Sequence, residues 1–118
     1  MKYYIAKMVF KIQCGNGNHI PQFDEQIRLF YANSANIALQ KAINTGNEEA
    51  QTFINNNHQL VQWIFLGITD LFEIEKLTDG IELSSCIKEI DEAENYEYFT
   101  QKKAAQLQEK LLLTQTII

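Results

Sequence analysis

Positive charge is scarce in this chain. Ten lysines and arginines face fifteen aspartates and glutamates, a formal charge of −5 over 118 residues. Such a surface repels phosphate backbones and anionic headgroups, so binding to nucleic acid or to a membrane surface is disfavoured. Cysteine is scarce too. Cys14 and Cys86 do not make a disulfide framework, and the expected setting is reducing, with the cytoplasm as the default. The N-terminal stretch MKYYIAKMVFKIQC carries Lys7 and Lys11 inside its apolar residues, so it reads neither as a signal peptide nor as a membrane span. Low-complexity linkers and breaks in composition are lacking, so residues 1–118 are expected to form a single domain with an apolar tail at 112–118.

What the chain does have is apolar residues, at 46%, above the range of disordered chains and enough for a core without staples. The longest apolar run is LVQWIFLGITDLFEI, residues 60–74, which holds the only Trp. Val61, Trp63 and Phe65 alternate with neighbours before Gly67; Ile68, Phe72 and Ile74 do so after it. Alternation predicts a strand, and the change from odd to even positions predicts a β-bulge at Gly67. Asp70 is then expected to share a face with Ile68 and Phe72.

Residues 2–14 alternate with Tyr4, Ala6, Met8, Phe10 and Ile12 on one face. The turn-forming GNGNHIPQ follows, and Phe23, Ile27, Leu29 and Tyr31 then alternate with Asp24, Gln26 and Arg28. The pair predicts an antiparallel hairpin. Ser34 is a plausible N-cap for a helix with Ala35, Ala38, Leu39, Ala42 and Ile43 on one stripe and Gly46 as its stop. Asn47, Glu48 and Glu49 suggest a short second helix carrying Ala50, Phe53 and Ile54. Thr78, Asp79 and Gly80 signal a turn into a strand over residues 81–90. A final helix carries Tyr96, Phe99, Ala104, Leu107 and Leu111. The expected fold is α+β, in the order ββαββα: a four-stranded antiparallel sheet with two main helices on one face. Ile5, Val9 and Phe30 make the other face partly apolar.

Few residue patterns point to chemistry. Cys14, His19, His58 and Cys86 are spaced unlike the short ligand pairs of zinc sites, and no metal or cofactor is expected. Cys14, His19 and Asp24 include a nucleophile and a base by type, but nothing near Cys14 would lower a thiol pKa. Gly15 and Gly17 are followed by a strand, whereas a phosphate cradle needs a helix N-terminus. Asp24 and Glu25 point to opposite faces. Trp63 reads as core rather than as a binding surface. The reading leans away from catalysis and assigns no catalytic residue. His19, Asp24, Gln26 and Asp70 remain as a candidate ligand or partner surface around the 14–26 loop. The tail Leu111–Ile118, LLLTQTII, suggests docking on the same domain or on another subunit.

The segments CGNGNHIPQFDEQIRLFYA, ALQKA, VQWIFLGITDLFEI and GIELSSCIKE together resemble a small family known as domain of unknown function 4288. The resemblance runs from the first strand to the fourth, and the QFDEQ-type and QW-F-G-DL-type segments are fairly specific in combination. It implies a single domain and carries no activity to transfer. The leading expectation is a non-catalytic interaction or binding module, a candidate homodimer with an unknown protein partner. The alternative is a small enzyme or ligand-binding domain working from the 14–26 loop.

Overall fold

The alternation of residues 2–14 produces strand β1 (Lys2–Cys14), and the sheet is built around it. The structure, a computed structural model, describes residues 1–117, with side chains through Leu112. Strands β2 (Gln22–Ala32), β3 (Gln51–Ile54) and β4 (Leu60–Ile74) join β1 in the order β2-β1-β4-β3, every pairing antiparallel. Helix α1 (Ala35–Glu49) lies between β2 and β3 in sequence, and α2 (Ala93–Ile117) comes last. The element order is ββαββα and the class is α+β, as the sequence predicted. Contacts divide the chain into two compact units at Ser85/Cys86; the sheet and α1 make up the first, and α2 lies in the second.

The core forms where α1 packs on β1, β2 and β4. Tyr4, Ala6, Met8 and Phe10, the even-numbered face of β1, are all buried. Ala38 and Ala42 of α1 are fully buried, and small side chains there let the helix lie close to the sheet. Ser34 caps the helix as expected, its Oγ accepting the Ile37 N–H at 3.4 Å. Gly46 is not the stop that the sequence suggested. It lies inside α1, and the ring of Phe65 on β4 occupies the space a Cβ would take.

Two expected elements are different. Instead of a second short helix, residues 47–49 continue α1 and residues 51–54 form β3, paired with Leu60–Trp63. Ala50 turns the chain to extended backbone (φ −62, ψ 129), while its N–H still bonds Gly46 O at 3.1 Å. Thr52, Phe53 and Ile54 suit a pleat better than a helix. Asn55 then closes the hairpin: its Oδ1 accepts the N–H groups of Asn57 and Gln59 at 2.9 and 3.0 Å. The strand expected over residues 81–90 does not form. The turn before it does, with Ile81 N–H bonded to Thr78 O at 3.2 Å and Gly80 at φ 84. A strand exists through its ladder, and alternation cannot name the partner; beside β4, that partner is β3.

The Gly67 kink is present but double. The register of β4 against β1 shifts between Lys7 and Met8 and again between Val9 and Phe10, on either side of the Val9–Gly67 pair. Partners across a ladder share a face. Trp63, Phe65, Ile68 and Leu71 therefore lie on the α1 side, opposite Ile12, Phe10, Met8 and Ala6. The first shift flips the side-chain set, as expected, and the second restores it. Asp70 thus shares a face with Phe72 but not with Ile68, and it is exposed, accepting a hydrogen bond from Thr69 Oγ1 at 2.9 Å.

Strand β2 is also turned over relative to the simplest reading. Tyr4 pairs with Phe30 and Met8 with Gln26, so the even residues of β2 share the α1 side with the buried face of β1. Phe30 belongs there too, not with Ile5 and Val9. The apolar Phe23, Ile27, Leu29 and Tyr31 face away from α1.

Tyr4 supplies a pH-dependent test of this core. Its hydroxyl donates to Glu73 Oε1 at 3.2 Å. Burial, followed by the Glu73 hydrogen bond and charge, pushes the phenol above its ordinary pKa. The neutral phenol is favoured in the fold, so its stabilising contribution is whole below about pH 10 and is lost as pH rises through the folded value. Thermal melts across this alkaline range will show wild type losing stability more steeply than Tyr4→Phe. Parallel slopes would mean that the phenol is not held this way.

Candidate functional site

On the α1 side, the polar residues of β2 form a chain of hydrogen bonds. Gln26 Nε2 donates to Asp24 Oδ2 at 2.6 Å; Arg28 Nε and Nη2 donate to Gln26 Oε1 at 3.0 and 2.7 Å. The Arg28 guanidinium also grips Glu49 in the last turn of α1, through Nη1 to Oε1 at 2.6 Å and through Nη2 to Oε2. A carboxylate at a helix C-terminus opposes the helix dipole, and the two-pronged arginine offsets that cost. Beside this network a cleft of about 310 Å³ is lined by Phe10, Trp63, Gln26, Glu48, Glu49 and Gln51. Asp24, Gln26, Arg28 and Glu49 are engaged with one another, so the arrangement clamps β2 to the end of α1. Arg28 and Glu49 were missed as partners because they are 21 positions apart. The available signal was an arginine in the polar register of β2 beside Asp24 and Gln26.

The far face of the sheet, away from α1, is different in kind. Ile5 and Ile74 are buried there. Around them Phe23, Ile27, Leu29, Tyr31, Ile64 and Phe72 are each between 37% and 59% exposed. Sheets normally bury one face and wet the other with polar residues. Here the apolar alternation of β2 points outward, because β2 turns its polar set toward α1. The charged residues at the far-face register positions are Lys7, Lys11, Glu25 and Asp70; Lys7 Nζ meets Glu25 Oε1 at 2.9 Å.

The structure brings only two of the four suggested surface residues together. Asp24 and Gln26 are bonded on the α1 side. His19 lies in the 15–21 loop, where its Nε2 accepts the Cys14 N–H at 3.0 Å and its Nδ1 is 2.9 Å from Ile20 O. Accepting at Nε2 places the ring proton on Nδ1, which donates to that carbonyl. Both ring nitrogens are thus used to shape the loop, which borders an open depression of about 660 Å³ with Asn16, Asn18 and Gln59. Asp70 sits opposite Lys7 on the far face, seven β1 residues from Cys14, or roughly 23 Å at about 3.3 Å per residue. His19 and Asp70 therefore share no cleft. Both cysteines are free thiols. Among the described residues, no group of three His, Cys, Asp or Glu is placed to hold a metal, and no helix is long and apolar enough to cross a membrane. Trp63 is half-buried, its ring 6.1 Å from that of Phe10, which places it at the core margin. Every described residue of α2 is exposed, whereas the side chains of residues 113–117 and the whole of Ile118 lie outside the described part, so the docking expected of the tail does too.

Comparison with known proteins gives one result. Residues 3–85 match the family model of a domain of unknown function, DUF4288, taking in the sheet and α1. No curated protein and no solved structure matches the chain. With more than two thirds of its length matched, the chain belongs to the DUF4288 family.

Proposed function

We propose that this protein is a non-catalytic interaction module and that the far face of its sheet is the contact surface. One observation carries the reading: six large apolar side chains stand half-exposed on a continuous sheet face. A patch of this kind is costly to leave in water and marks a surface made to be covered. The rival reading, a ligand site around the 14–26 loop, has less support, because His19 is spent on loop geometry and Asp70 lies on the other face. Two free thiols, one of them exposed, favour a reducing compartment such as the cytoplasm.

Hydroxyl-radical footprinting tests the module reading. The chain is compared at high dilution in buffer and at the same concentration in a lysate of its native cell. Tyr31 and Phe72 are expected to lose reactivity in the lysate, while Phe53, exposed on β3, does not change. Equal reactivity of Tyr31 and Phe72 in the two settings, and in the purified chain at high concentration, removes the reading.

A further inference from the structure

We infer that the partner of the far face is a second copy of this chain, packed sheet on sheet; the inference rests on the interaction-module reading. Charge is the first argument. The chain carries −5, yet the charged residues at the far-face positions are two lysines, Lys7 and Lys11, and two carboxylates, Glu25 and Asp70. Their formal sum is zero, so the excess negative charge lies elsewhere on the molecule. Two like-charged copies approach with least repulsion through this face, where Lys7 already pairs with Glu25 of its own copy. A strongly basic or acidic partner gains no such advantage from a neutral face.

Area is the second argument. The six exposed side chains, at 37–59% each, amount to nearly three whole ones. At about 200 Å² per large side chain, that is roughly 550 Å² of apolar surface. A standard interface takes about 800 Å² from each partner, with polar residues at the rim. Gln13 and Gln62 supply polar rim at one end of the face, while Lys7, Lys11, Glu25 and Asp70 stand among the apolar side chains, with Lys7 paired to Glu25. The geometry is the ordinary one for stacked sheets, about 10 Å apart with inner side chains interdigitated. A two-fold axis makes such an interface self-complementary and closed, which stops growth at two copies.

Sedimentation of the full-length chain over a concentration series tests this, with footprinting of the purified protein alongside it. The expected result is a mass that rises from 13.7 kDa to twice that value, with Tyr31 and Phe72 losing reactivity as it rises. Ile27→Arg and Phe72→Arg, on β2 and β4, will each weaken the dimer by about tenfold or more. Ile37→Arg, at an exposed position on α1, will leave it unchanged. A chain that stays monomeric throughout overturns the inference, as does a dimer in which Tyr31 and Phe72 keep their reactivity or which both far-face substitutions leave intact. A monomer whose far face is nevertheless protected in lysate overturns self-pairing and leaves the module reading standing. A monomer without that protection ends both.

Discussion

Phe10→Ala will cost about 4 kcal/mol of stability, the largest loss expected from a single side chain here. Phe10 is 1% exposed, in the middle of β1, with its ring 5.6 Å from that of Phe65 and 6.1 Å from that of Trp63. It is therefore the common neighbour of the two aromatic residues that β4 sends toward α1. Truncating it removes a large buried ring, and two bulky neighbours anchored on a strand cannot collapse fully into the space. Against a total stability of about 5–15 kcal/mol, such a loss brings the fold near its limit. The check is urea unfolding followed by Trp63 fluorescence, which reports directly on this cluster. The midpoint should fall by roughly 2 M or more. Phe10→Leu keeps most of the volume and should lose only about 1 kcal/mol. If the alanine variant loses no more than the leucine variant, the aromatic cluster is not the centre of the core.

Gly46→Ala will also be damaging, although alanine is the better helix former. A Cβ at position 46 would lie 2.6 Å from Phe65 Cδ1 and closer still to Cζ and Cε1. Ring and helix would have to move apart. Overpacking of this kind costs about 1–3 kcal/mol, against a gain of about 1 kcal/mol from helix propensity. The aromatic ring is hemmed by Phe10, so the cost outweighs the gain and the net loss is about 1–2 kcal/mol. Phe65→Leu should relieve it. In a double-mutant cycle, the Gly46→Ala/Phe65→Leu pair will be more stable than the two single losses imply, by about 1 kcal/mol. Strict additivity would show that the two residues are not in conflict.

Much of this architecture was legible in the residues. The first hairpin, the Ser34 cap, the small-residue stripe of α1 and the long strand holding Trp63 all follow from local signals: period, turn chemistry and capping. The kink at Gly67 followed from a shift in period. Its second half did not, because Thr69 and Asp70 give no apolar mark when the phase returns. The stretch after Gly46 misled because acidic residues that would suit a helix start instead close α1, and Phe53 and Ile54 serve β3. Residues 81–90 alternate as a strand would, but alternation describes a face and not a partner. The candidate site divided in the same way. Asp24 and Gln26 share a face by their spacing, whereas nothing in the sequence says how far apart the fold carries Asp70 and His19.

The sequence by itself determined the class, the first hairpin, the helix after it and the buried face of β1, since these depend on spacing along one segment. It also determined the charge of the molecule and the scarcity of cysteine. The tertiary structure alone decided which side of β2 faces α1. That choice belongs to the 15–21 loop, because pairing Ile12 with Gln22 fixes the register, and a slip of one residue would have turned every β2 side chain over. From that register come both the Arg28–Glu49 clamp on one side and the half-exposed apolar face on the other.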